Sequence, residues 1–170
     1  MNVTFTRTAE RRYRVSVEGR GVVPSWMEPA PGYDARLPHD MAHFVVENEL
    51  GITGGVFGQL AGGGHARTFH PTDEQANRKV AKRGKRLAAA NRRDALLSEK
   101  VIFLAWRTWN KGLSGVTPLE GISAEDIRRV CRAFDAVSAI WSKLAVGESM
   151  TLVWRGRSAR AVRRRPNRRA

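Results

Sequence analysis

The chain has one cysteine in 170 residues, Cys131. A single thiol forms no intramolecular disulfide, every cysteine-based zinc pattern is excluded, and nothing demands an oxidising compartment. Long apolar runs are missing as well. The most hydrophobic stretch, Ala95 to Trp109, carries Glu99, Lys100 and Arg107 and is too short and too charged to span a bilayer. The N-terminus, MNVTFTRTAERR, has no apolar h-region, which argues against a secretory signal, so the expected location is cytoplasmic. The phosphate-cradling spacings GxxxxGKS/T and GxGxxG are absent, although seven glycines lie between Gly51 and Gly64. No GxSxG serine, helix-turn-helix, zinc-finger pattern or internal repeat is present either.

Acids are missing locally. The net charge is +14, but Arg78, Lys79, Lys82, Arg83, Lys85, Arg86, Arg92 and Arg93 run from 78 to 93 with no acid between them. The segment from Arg155 to Arg169 holds eight more arginines and no acid, and outside these two patches acids slightly outnumber bases. Concentrated positive charge suits a polyanion such as nucleic acid, because each phosphate neutralised releases counterions. The plainer alternative is a solvated face and a compositional bias toward arginine, alanine and glycine.

What remains is ordinary globular composition, enough for one domain over 1–156, with the arginine-rich tail 157–170 expected to be disordered. Val3 to Thr8 and Arg12 to Gly19 alternate with a period of two and predict an antiparallel hairpin. Val22 to Pro38 contains four prolines and predicts an irregular connection. Pro38 and Gly51 bracket a helix, and a short helix is expected inside the glycine loop. Thr72 opens a helix toward Arg83, with Gly84 a candidate break. Lys85 to Asn110 and a Ser123-capped segment carrying Ile127, Val130, Cys131, Phe134, Val137 and Trp141 are helical by spacing. Met150, Leu152 and Trp154 alternate as a third strand. The expected fold class is therefore α+β: a small antiparallel sheet, from the N-terminal hairpin and the C-terminal strand, packed against three to four helices.

The helix after Pro38 carries the chemistry. In LPHDMAHFVVENELG, His39 and His43 fall within about 40° on one helix face, with Asp40 and Glu47 on the adjoining flank. Two imidazoles at i and i+4 with a carboxylate one turn on are ligand types that zinc, iron or manganese accept. All four histidines lie between 39 and 70, so His65 and His70 are candidate further ligands across the glycine loop, or hydrogen-bonding supports for the first pair. The plainer alternative is that His39 and His43 each satisfy an ordinary local partner.

The segment HDMAH resembles two known patterns. One is the HExxH helix of zinc metalloproteases, with Asp40 at the position of the general base and one methylene shorter. The other is the HDxxH-x11-E motif of the ubiquinone-biosynthesis scaffold family, helical proteins in which those residues hold a metal. That family's glutamate falls at Gly55 here, and Glu47 or Glu49 would stand in for it.

Two functions are thus expected. In the first, His39 and His43 are ligands to a divalent metal, Glu47 or one of His65 and His70 completes the site, Asp40 orients a ligand or moves protons, and the protein is a hydrolase or a metal-dependent scaffold. In the second, the protein binds nucleic acid or associates with the ribosome without sequence specificity, through Arg78, Lys79, Lys82, Arg83, Lys85 and Arg86 and, in the tail, Arg163, Arg164 and Arg165.

Overall fold

The structure is a computed structural model that describes residues 1–64, 68–72, 74–112, 119 and 121–155, with backbone alone for 74–80 and 88. Strands β1 (Asn2–Ala9) and β2 (Arg12–Glu18) form the expected hairpin. β3 (Ser25–Met27) pairs with β2, and β4 (His70–Pro71) pairs with β3. β5 (Ser149–Val153) pairs with β1, giving the antiparallel order β4-β3-β2-β1-β5. Five helices are described: α1 (His39–Leu50), α2 (Val56–Ala61), α3 (Glu74–Ala90), α4 (Arg92–Lys111) and α5 (Ala124–Trp141). The α+β class holds.

The sheet is larger than the sequence pattern implies. β3 and β4 are too short for an alternation to register, and β3 sits in a proline-rich segment. Ser25 and Met27 are nevertheless buried while Trp26 between them faces out. Pro71, which cannot donate to a ladder, lies in β4 at the sheet's edge. Gly84 does not break a helix. α3 runs through it, and the break falls at Asn91, whose φ of −113° and ψ of 20° leave the helical range. Gly84 is buried where α3 meets the glycine turn: a Cβ placed on Gly64 would lie 3.5 Å from its Cα. Its missing side chain serves close approach.

α1 is the central helix, with every residue from Asp40 to Glu47 buried. One face lies on the sheet, where Phe44 meets Phe5 and Trp154 edge-on at 6.4 and 5.9 Å. Its flanks pack on α4 and α5. A helix buried nearly all round shows little amphipathic contrast, and its ends are set by other means. Gly51 closes it in the left-handed conformation, φ 67° and ψ 32°, with its N–H on the Glu47 carbonyl. At its start the Asp34 carboxylate accepts the N–H groups of Arg36 and Leu37 at 2.7 and 2.9 Å. Trp141 Nε1 donates to the Asp34 carbonyl, so α5 ties down the turn that leads into α1. No described helix is long and apolar enough to cross a membrane.

Candidate metal centre

His39 opens α1 and His43 follows one turn on. Their rings come together as the spacing predicts, with centroids 4.5 Å apart and planes inclined by 68°. Gly32 allows His39 this position: it has φ of 67°, and a Cβ on it would lie 2.6 Å from His39 Cβ. The His39 N–H donates to the Gly32 carbonyl at 3.0 Å, which seats the first turn of α1 against the loop.

The third group comes from α4. Glu99 stands across from the pair, with one oxygen 3.7 Å from His43 Nε2. One donor atom each from His39, His43 and Glu99 lies within 4.8 Å of the other two. Donors about 2.1 Å from a single tetrahedral ion stand roughly 3.4 Å from one another, so a small side-chain movement converts the observed spacing into a coordination shell. His39 and Glu99 face solvent and His43 is buried, so the cluster sits at the surface with one sheltered member.

Protonation favours ligation at His39. Burial of its ring lowers its pKa below the ordinary imidazole value, and the neighbouring His43 lowers it further, outweighing Asp40 and Glu99. A neutral imidazole offers the lone pair that a metal needs. Around His43 the two nitrogens are distinct. Nε2 faces Glu99, whereas Nδ1 is buried without a hydrogen-bond partner and has a Glu47 oxygen at 3.8 Å, just beyond bonding length. A ligating histidine usually donates its second ring N–H to a carboxylate, and Glu47 is the group placed on that side of His43, though without a hydrogen bond between them.

Glu47 itself is not one of the three converging groups. Its carboxylate is fully enclosed and accepts the backbone N–H groups of Val56, Phe57 and Gly58 at 2.9, 2.9 and 3.2 Å, plus the Ser98 hydroxyl at 3.2 Å. It joins α1 to the start of α2 and to α4. Position 55 has no room for a side chain, because a Cβ there would lie 2.1 Å from the Glu47 carboxylate.

Asp40 also turns elsewhere. It is buried against Tyr13, whose hydroxyl lies 2.5 Å from the Asp40 carboxylate and 2.6 Å from the Pro31 carbonyl. Burial raises the Asp40 pKa despite the Tyr13 hydrogen bond and the two histidines, and burial beside Asp40 likewise raises that of Tyr13. The Tyr13 hydroxyl, on β2, lies between the two acceptors, so the contact spans sheet, loop and helix. Asp40 thus anchors α1 to the sheet.

His70 lies on β4 with its ring 5.3 Å from Trp26, apart from the His39 and His43 pair, and His65 lies outside the described residues. Glu49 is half-buried, 3.6 Å from Arg129. Of the cations, Lys82, Arg83, Lys85, Arg86, Arg92 and Arg93 are exposed on α3 and α4. Arg78 and Lys79 lie on α3 by their backbone, and the tail that contains Arg163, Arg164 and Arg165 is outside the described residues.

Sequence reasoning missed Glu99. It lies far along the chain from the histidines, in a stretch that reads as a buried helix. Its signal is slight: an acid beside Ser98, Val101, Ile102 and Ala105, the face that α4 buries. No family model, curated protein or solved structure matches the chain.

Proposed function

We propose that this protein binds one divalent transition metal, zinc, iron or manganese, through His39, His43 and Glu99, and uses it in hydrolytic chemistry. The observation that carries the reading is the convergence of three donor atoms within 4.8 Å from two different helices. Two imidazoles and one carboxylate form a three-ligand set that leaves coordination positions open, as catalytic sites do and closed structural sites do not. A metal so held supplies Lewis acidity and makes a coordinated water nucleophilic near neutral pH. The protein's own part is to set His43 one turn from His39 on α1, opposite Glu99, and, by burial, to lower the proton affinity of His39.

The test is zinc titration of the metal-free, tag-free protein, with iron(II) and manganese(II) in parallel. One equivalent is expected. Because His39 and Glu99 are exposed, His39→Ala and Glu99→Ala should stay folded while each weakens binding by at least about 100-fold, beyond the 10–100-fold typical of supporting residues. Equal metal affinity in all three proteins, or none for any of the three ions, overturns the reading.

A second activity is compatible with the first. Among the described residues, none of the exposed cations Lys82, Arg83, Lys85, Arg86, Arg92 and Arg93 takes part in an ion pair. That leaves them available to phosphates. We propose weakly specific nucleic-acid binding along this α3–α4 edge. Affinity for a duplex should fall steeply between 50 and 200 mM salt, as about 10³-fold for six phosphate contacts, and Lys82→Glu with Arg86→Glu should reduce the slope. Affinity indifferent to salt refutes it.

A further inference from the structure

The metal reading leaves open what the site acts upon, and the hollow beside it answers in part. A cavity of about 430 Å³ lies between the loop at 32–37, α1 and α4, and His39 and Glu99 line it. This volume falls in the range of small-molecule sites, roughly 300–1,000 Å³. Much of the lining is apolar: Leu37, Ala42, Ile102, Phe103 and Trp106. Phe103 is 70% exposed, a large aromatic side chain that the core does not use.

The polar groups of the lining are unequal. Asp34 Oδ1 is committed to the N–H groups of Arg36 and Leu37, while the Tyr33 hydroxyl accepts from the Arg7 guanidinium at 2.9 Å and keeps its own proton to donate. His39 and Glu99 are the two that join the ligand cluster. A ligand that fills the hollow meets mostly apolar walls, and its polar end can reach the cluster through His39 and Glu99.

We propose, resting on the metal reading above, that the centre takes a small molecule with a compact apolar body, an aromatic ring or short branched chain, ending in an oxygen donor that completes the metal's coordination. Phe103 and Trp106 are the residues that select the body. A ligand with the same oxygen donor and no body binds the metal but forgoes the walls.

Two hydroxamates that share a head group test this. Zinc-loaded protein is titrated calorimetrically with benzohydroxamate and with acetohydroxamate. Benzohydroxamate should bind at least about tenfold tighter, given the ring area removed from water. Phe103→Ala, at an exposed position, should shrink that preference several-fold while zinc affinity and acetohydroxamate affinity stay unchanged. If zinc is bound and the two hydroxamates bind equally, or if Phe103→Ala leaves the preference intact, the inference is overturned and the metal reading stands. If the protein takes up iron(II) or manganese(II) in place of zinc, that loaded form is titrated instead; if it takes up none of the three ions, both fall.

Discussion

Glu47 shows how one side chain organises several elements. A carboxylate with no solvent contact survives only if donors surround it, and three backbone N–H groups and a hydroxyl do so here. Glu47→Gln preserves the shape but points an amide N–H at groups that are themselves donors. It should cost about 2–4 kcal/mol, the range for breaking a buried charged network, measured as a shift in the urea midpoint. Gly55→Ala should be destabilising for a related reason, since its Cβ would overlap the same carboxylate. Gly55→Ala and Glu47→Ala should be strongly non-additive. Glu47→Ala removes the obstacle, so a double-mutant cycle should show a coupling of about 1 kcal/mol or more. Additivity within about 0.5 kcal/mol would mean that the loop at 55 adjusts without touching Glu47.

α5 carries its own start signal, and acid should expose it. Ser123 and Asp126 form a reciprocal capping box, each side chain accepting the other's backbone N–H. Burial alone would raise the Asp126 pKa, but hydrogen bonds from Ser123 and the charge of Arg129 outweigh it and bring the value below the ordinary carboxylate range. Hydrogen bonds from Arg128 and Arg132 lower Glu125 in the same way. A folded-state pKa below the unfolded value means stability that is fully present above the unfolded value, about 3.9 for Asp, and lost as pH falls through the folded one. Asp126→Asn, which keeps an acceptor and removes the charge, should flatten the loss of thermal stability between pH 5 and pH 2 relative to wild type. An unchanged acid limb would mean that Asp126 takes no part in it. This capping box, the proline and glycine that bracket α1, and the alternation of β1, β2 and β5 are local signals, and each was legible in the chain. What was not legible depends on contact across elements. Glu99 becomes a candidate ligand only because α4 lies along α1. Glu47 reads as a ligand by spacing and Asp40 as a group that orients a ligand or moves protons, yet their partners at 56–58 and at Tyr13 are set by the fold. Gly84 looks like a break until the turn at 62–64 is packed against it.

The proposed centre bridges α1 and α4, so on that reading metal binding and the stability of the whole chain should be linked. Both helices bury residues in the one hydrophobic core, and α1 lies between α4 and α5 with its other face on the sheet. On the proposed reading, a metal held by His39 and His43 on one helix and Glu99 on the other would bind the folded chain and find no comparable site in the unfolded one. At free zinc about 100 times its dissociation constant, the folded state should gain about 2.7 kcal/mol. For a domain of this size that corresponds to a rise in Tm of roughly 5–11 °C, at about 2–4 °C per kcal/mol. A chelator should reverse it. Glu99→Ala should abolish the zinc-dependent rise while leaving the metal-free Tm close to that of wild type, because Glu99 is exposed and, among the described residues, its side chain meets only the two histidines of the cluster at distances too long for a hydrogen bond to His43. Glu47→Gln should act in the opposite way, lowering the metal-free Tm first, since its bonds hold α2 and α4 to α1 with or without an ion. A zinc-dependent rise that survives in Glu99→Ala would move the metal site away from the α1–α4 seam, and with it the chemistry assigned to the hollow beside Phe103.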